Sequence, residues 1–216
     1  MKKELQAHID KLTNRYPALF SCKEEIINAY NIIEKSYESG HKFLLAGNGG
    51  SYADSEHIAG ELMKGFKLPR RCSKDFAAKL KEVDSVRGAE LAERLQGGLP
   101  AISLGGHQAL NTAYINDVVE GGYLTFAQQV SVLGQEGDVL LGISTSGNSK
   151  NILYATVVAK AKGLKVIGLT GANGGELAKV ADVAVKVPET ETYMIQELHL
   201  PIYHCLCLML EERFFG

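Results

Sequence analysis

Five short apolar runs punctuate the chain: KFLLA at 42–46, LPAISL at 99–104, DVLLGI at 138–143, KVIGL at 165–169 and DVAVKV at 182–187. Most are close to continuously apolar, the pattern of strands buried on both faces. The stretches between them repeat apolar residues every three or four positions, as amphipathic helices do. Strands alternating with helices predict parallel βαβ units. The chain therefore reads as one α/β domain with helices on both faces of a central sheet, and no linker divides it. Residues 1–40 predict two helices, the second over about 23–39 and closed by Gly40, a residue suited to a C-cap. The last helix is predicted over about 192–214, with Pro201 expected to kink or interrupt it near residue 197.

The charged stretch 67–98 stands apart from this alternation. Phe76, Leu80 and Val83 have helical spacing, Gly88 breaks the pattern, and Leu91 and Leu95 resume it. A helical hairpin is expected there.

Two strand exits resemble each other: FLLAGNGGS at 43–51 and LLGISTSGNS at 140–149. Each is an apolar run, a Gly/Ser/Asn loop and then a helix, and ligands of open α/β sheets bind at such carboxyl-end loops. The STSGNS loop offers the hydroxyls of Ser144, Thr145, Ser146 and Ser149, followed by the unpaired N–H groups of a helix N-terminus. One N-cap needs one hydroxyl, and four within six residues point to a phosphate instead. Neither loop matches GxxxxGK[ST] or GxGxxG, which argues against a nucleotide triphosphate or dinucleotide. In the GNGGS loop the glycines admit close approach of a ligand to the backbone. Ser51 reads as the N-cap of the next helix, with Asp54 completing a capping box.

On that helix, His57 and Glu61 stand at i, i+4 and share a face within two turns of the loop. Such a pair is either a solvated ion pair or, beside a ligand loop, a functional pair that could chelate a divalent metal. The last helix carries Gln196, His199 and His204 among apolar neighbours, where histidines are usually hydrogen-bonded core residues.

Composition adds bounds rather than direction. The chain has 216 residues, 45% of them hydrophobic and 22% charged, as in an ordinary globular protein. A net charge of -2 gives no global attraction to nucleic acid or to an anionic membrane surface. MKKELQAHID lacks the apolar core of a signal peptide, and no apolar run approaches the roughly 20 residues of a membrane span. Cys22, Cys72, Cys205 and Cys207 include no CxxC pair, which suits reduced thiols in a cytoplasmic protein.

Together, GNGGSYADSEHIAGEL, GDVLLGISTSGNS, LTGANGG and IQELH…H resemble the phosphoheptose isomerases of the sugar-isomerase (SIS) fold, over about residues 40–68 and 99–212. The resemblance implies a three-layer α/β/α sandwich, flavodoxin-like, around a five-stranded parallel sheet. It implies homotetramers with active sites at subunit interfaces, a phosphorylated sugar as substrate, and a divalent metal, usually zinc. The family's substrate-binding Asn-Gly-Gly falls on Asn48, Gly49 and Gly50, with Ser51 beside them, and its Asn-Asp pair on Asn116 and Asp117. Its phosphate loop falls on Ser144, Thr145, Ser146 and Ser149, and its metal or catalytic positions on His57, Glu61, Gln196 and His204. The implied chemistry is ketose–aldose interconversion of sedoheptulose 7-phosphate and a manno-heptose 7-phosphate through an enediol, with Glu61 as base and His204 as the group that moves protons. A straight helix would hold Gln196 and His204 roughly 12 Å apart, so either the kink expected at Pro201 closes the gap or, the favoured reading, one of them serves a neighbouring subunit's site. Against the family pattern, 67–98 is an inserted hairpin, and Tyr193 and Met194 stand where members often have Asp and Arg. Two alternatives stay open: a non-catalytic SIS module that binds a replication initiator, and an SIS isomerase for a different sugar phosphate.

Overall fold

The computed structural model describes residues 3–216. In chain order its elements are α1 (Lys3–Arg15), α2 (Lys23–Glu38), β1 (Phe43–Gly47), α3 (Gly50–Met63), α4 (Lys74–Val83), α5 (Arg87–Arg94), β2 (Ala101–Ser103) and α6 (Gln108–Asp117). They continue with α7 (Thr125–Leu133), β3 (Val139–Ile143), α8 (Lys150–Ala161), β4 (Lys165–Thr170), α9 (Gly175–Val180), β5 (Val183–Lys186) and α10 (Thr192–Phe215). The five strands form one parallel sheet in the order β2-β1-β3-β4-β5.

Burial on both faces explains the apolar runs: every residue of β1 and β3 is buried. Successive strand residues point to opposite faces. Phe43, Leu45 and Leu141 therefore enter a core with Ile26 and Ile33 of α2, Ile58 and Leu62 of α3, and Ile202 and Met209 of α10. Leu44, Leu140 and Val166 enter the opposite core with Val130 of α7, Ile152 and Ala155 of α8, and Leu177 of α9. The result is a three-layer α/β/α sandwich.

Pro201 lies inside α10 without ending it, and the expected interruption near residue 197 does not occur. Ile195 before the proline, and Ile202, Leu206 and Met209 after it, are all buried. Packing on both sides outweighs the lost backbone bond.

The 67–98 segment contains α4 and α5 packed against each other, with Gly88 as their one buried residue. Ser73 caps α4 by accepting from Phe76 N at 3.3 Å. Asp84 accepts from Val86 N and Arg87 N at 3.0 and 2.8 Å and so starts α5. The neck is closed by an Arg71–Gln96 bridge. A buried Arg70–Glu211 ion pair at 2.8 Å fastens it to α10.

The chain leaves β1 for β2 on one side of the sheet and returns to β3 on the other. That reversal opens a crevice at the carboxyl ends of β1 and β3, where doubly wound sheets bind ligands.

Candidate active site

Both glycine-rich loops emerge at this crevice and are joined across it. Asn48, after β1, and Asn151, in the first turn of α8, exchange side-chain hydrogen bonds of 3.0 and 2.8 Å. The STSGNS loop is shaped by its own polar groups. The Ser144 and Ser149 hydroxyls pair at 2.9 Å, and Ser146 Oγ accepts from Asn148 N at 3.1 Å. The start of α9, directly after the LTGANGG segment, braces it from behind: Leu177 N donates to Gly147 O at 2.9 Å and Glu176 N to Asn148 Oδ1 at 3.0 Å. Gly147 has φ +67°, and a Cβ there would lie 2.0 Å from Gly174 O, so the two loops meet backbone to backbone. A cavity of about 200 Å³ opens beside Thr145 and Ser146, lined also by Asn148, Asn173, Thr190 and Thr192. A larger cavity, about 480 Å³ and flanked by Lys35, His41 and Lys165, lies away from these loops at the amino ends of the strands.

Ser51 does not cap α3. The helix begins at Gly50 with Gly49 at the cap position, φ +55°, and no side-chain cap. Its partner from the expected capping box, the half-buried Asp54, turns instead to α10 and accepts from Tyr203 Oη at 3.1 Å. Because the tyrosine has one proton and gives it to Asp54, its oxygen is left to accept from His57 Nδ1–H, 3.1 Å away. His57 Nε2 then faces Glu61 Oε1 at 3.2 Å and His204 Nε2 at 3.4 Å. Asp54, His57 and Glu61 sit at i, i+3 and i+7, one stripe of α3 facing Tyr203 and His204 of α10. The sequence reading missed Asp54 and Tyr203. The helical stripe was the available signal for Asp54, while Tyr203 is hidden in an apolar run.

Burial raises Asp54 above the usual carboxylate range, against the opposing pull of the Tyr203 bond and of His57. Burial, then the adjoining His57, lowers His204 below 6.5 even though Glu61 opposes the shift, so its imidazole is neutral near pH 7. The Glu61 side chain is 14% exposed, and Lys64 Nζ lies 3.3 Å from its second oxygen.

The expected four-residue metal set is not assembled. Gln196 lies over Gly50, where a Cβ would stand 2.7 Å from its Nε2. Eight helical residues separate it from His204, about 12 Å along the axis. His204 reaches His57 and Glu61 within its own chain, while Gln196 stands apart from them at Gly50. Among the described residues, no group of three or more His, Cys, Asp or Glu side chains is set to hold an ion as it stands. His57, Glu61 and His204 nevertheless supply nitrogen and carboxylate donors of the kind that bind divalent zinc. Asn116 and Asp117 bond each other at 2.9 Å and stand exposed at the end of α6. Neither hydrogen-bonds the Asn48 or Ser144 loop among the described residues.

Comparison with known proteins agrees with this geometry. A sequence model described as SIS domain matches residues 89–171. A phosphoheptose isomerase of Aneurinibacillus thermoaerophilus is 37% identical over 218 residues, covering 100% of this chain and 96% of that one. Phosphoheptose isomerase 2 of Campylobacter jejuni is 40% identical over 205 residues, covering 90% and 88%. The structure of a phosphoheptose isomerase from Neisseria gonorrhoeae superposes with a TM-score of 0.73 at 30% identity, covering 97% of this chain and 98% of that one. With this identity along its whole length, the chain belongs to the phosphoheptose isomerase family of SIS-domain proteins.

Proposed function

We propose that the protein is an aldose–ketose isomerase that interconverts sedoheptulose 7-phosphate and D-glycero-D-manno-heptose 7-phosphate through an enediol. One observation carries the reading: Glu61 and His204 meet at His57 on facing helices, and the helix that carries His57 and Glu61 leaves the Asn48 loop, which the Asn48–Asn151 bonds tie to the start of the helix after the hydroxyl-rich loop. The phosphate would lie on the Ser144–Ser149 loop, with Asn48, Gly49, Gly50, Ser51 and Gln196 along the sugar.

The Glu61 carboxylate takes the proton from C1 of the ketose, and the C1–H electron pair becomes the C1–C2 double bond of the enediol. The carbonyl oxygen on C2 receives a proton from His204, which recovers one from the C1 hydroxyl. The Glu61 proton then returns to C2, leaving an aldose and no net change in protons. The low basicity of His204 suits this traffic, because a neutral imidazole can both give and accept. A divalent ion such as zinc, implied by the resemblance, would be held by His57 and Glu61, leaving His204 for the proton traffic, and would polarise the carbonyl as a Lewis acid. The Tyr203–Asp54 pair behind His57 is the kind of outer support that metal-bound histidines carry. No proton step above depends on it.

The resemblance further suggests a homotetramer. Asn116 and Asp117 could then act across an interface, since the exposed end of α6 also bears the apolar Ile115 and Val119. A cytoplasmic setting agrees with four free cysteines. No helix among the described residues is long and apolar enough to cross a membrane.

The direct test incubates purified protein with a panel of ketose phosphates and follows products by NMR and mass. Sedoheptulose 7-phosphate should yield an isomer of equal mass in H₂O, and in D₂O the product should gain one mass unit at C2 in the fraction of turnovers in which the Glu61 proton exchanges with solvent before it returns. Turnover of some other ketose phosphate, with this one left untouched, would reassign the substrate.

A further inference from the structure

We propose that Arg70 is a positioning residue for catalysis: through its buried pair with Glu211 it clamps the end of α3, which carries Glu61, to α10, which carries His204. The inference rests on the isomerase reading for its kinetic consequence, though not for its geometry.

Helix α3 ends at Met63, and Lys64 is extended. The last carbonyls of a helix have no partner within it. Arg70 supplies one from outside the helix: Nη1 donates to Leu62 O at 2.7 Å and Nη2 to Glu61 O at 3.0 Å. The third donor, Nε, goes to Glu211 Oε1 at 2.8 Å. Glu211 in turn accepts from Phe66 N at 2.8 Å and Lys67 N at 2.9 Å, which fixes the turn leaving α3. Burial pushes the Glu211 carboxyl up, but those two N–H groups and Arg70 outweigh it, so Glu211 stays ionised. Both side chains are almost wholly removed from solvent, at 0% and 1% exposed.

On α10, Glu211 lies seven residues beyond His204, two turns along the same face. One guanidinium therefore contacts the backbone of the proposed base and the helix of the proposed acid. The choice of residues fits positioning better than stability. Taking an ion pair out of water is costly, and apolar residues of similar volume often serve stability equally well. A planar fork of fixed donors does what an apolar pair cannot, because it sets the direction of two carbonyls relative to a carboxylate.

The test compares wild type, the apolar double variant Arg70→Met/Glu211→Leu and Arg70→Lys, all measured on the folded fraction. The double variant leaves the Phe66 and Lys67 N–H groups and the Glu61 carbonyl without these partners, so its thermal midpoint should fall, and its folded fraction should lose about 10- to 100-fold in kcat, as displacements near 1 Å do, while KM stays within about threefold. Amide exchange at residues 60–63 should quicken about tenfold or more, with the strands unchanged. A double variant with wild-type kcat overturns the proposal. If the double variant does not fold, Arg70→Lys decides, since it keeps the charge and loses the fork: reduced kcat at unchanged KM supports the clamp, and unchanged kcat overturns it. A wild type that turns over no ketose phosphate would sink the isomerase reading instead. The exchange arm then judges the clamp alone, and unaltered exchange at 60–63 in the variants overturns it.

Discussion

Glu61→Gln keeps the size of the side chain while removing the charge that faces His57, so fold should survive and turnover should not. We expect kcat below about a tenth of wild type, a loss exceeding roughly 1.4 kcal/mol in the transition state. Activity above that level would remove Glu61 from the role of base. Tyr203→Phe makes a finer incision. It deletes the hydroxyl that links Asp54 to His57 Nδ1 and leaves the ring packing in place. Loss of such an outer partner should lower activity by about 10- to 100-fold with KM little changed, and unchanged activity would show that His57 needs no such orientation. These two residues mark how far single positions were legible. His57 and Glu61 could be singled out because titratable side chains beside a ligand loop are conspicuous, whereas His204, among apolar residues of the last helix, was marked only by the family resemblance. Asp54 was visible but misread, since Ser-x-x-Asp is a common cap pattern and only the backbone shows that Gly49 took the cap position. Tyr203 and Arg70 could not be found, because their partners lie 149 and 141 residues away in sequence.

At the scale of elements, the phosphate loop and the hairpin make opposite predictions. Ser146 holds Asn148 N, and Ser149 holds the buried Ser144 hydroxyl, so the loop is pre-shaped before any anion arrives. The double variant Ser146→Ala/Ser149→Ala should raise KM for sugar phosphates by tenfold or more, about 1–3 kcal/mol for each donor lost to the anion, and should change kcat less. An unchanged KM would return these hydroxyls to turn formation alone. The hairpin should matter little to stability. Phe76, Val83, Leu91 and Leu95 are all exposed, and no side chain of α4 or α5 reaches the core. Replacing residues 73–95 by a short Gly/Ser link, with Arg70 and the Arg71–Gln96 bridge retained, should shift unfolding free energy by less than about 1 kcal/mol. A much larger loss in urea titrations would reveal support that the packing does not show. The contrast also explains what the sequence could convey about elements. The inner strands β1, β3 and β4 announced themselves because burial on both faces forces nearly unbroken apolar runs, while the half-exposed edge strands β2 and β5 were legible from their place in the strand–helix alternation. The Pro201 expectation failed because a local rule met a helix whose two halves are each pinned in the core.

The whole molecule carries one titration that couples its stability to pH. His199 is completely buried in α10, its Nε2 sits 3.3 Å from Thr170 O at the end of β4, and its Nδ1 has no hydrogen-bond partner among the described residues. Burial lowers its pKa from 6.5 to about 4, although the Thr170 carbonyl favours the charged form. In the unfolded chain the same imidazole protonates near its ordinary value. Between about pH 6.5 and 4 the unfolded state therefore binds a proton that the folded state refuses, and stability falls as pH falls. The contribution is complete above pH 6.5 and is lost on acidification, by about 3 kcal/mol over the full window and about 2 kcal/mol by pH 5. His199→Gln removes this titration while keeping a donor toward Thr170. The informative quantity is the slope with pH, not the stability at neutral pH. Urea unfolding of both proteins between pH 7.5 and 5 should show wild type losing about 2 kcal/mol more than the variant. Carboxylates such as Asp54 titrate in both proteins and cancel in the comparison. Parallel curves would mean that His199 protonates in the folded state as readily as in the unfolded chain, through an opening between α10 and the end of β4. That result would contradict the tight seam between sheet and last helix on which the placement of Gln196 and His204 depends.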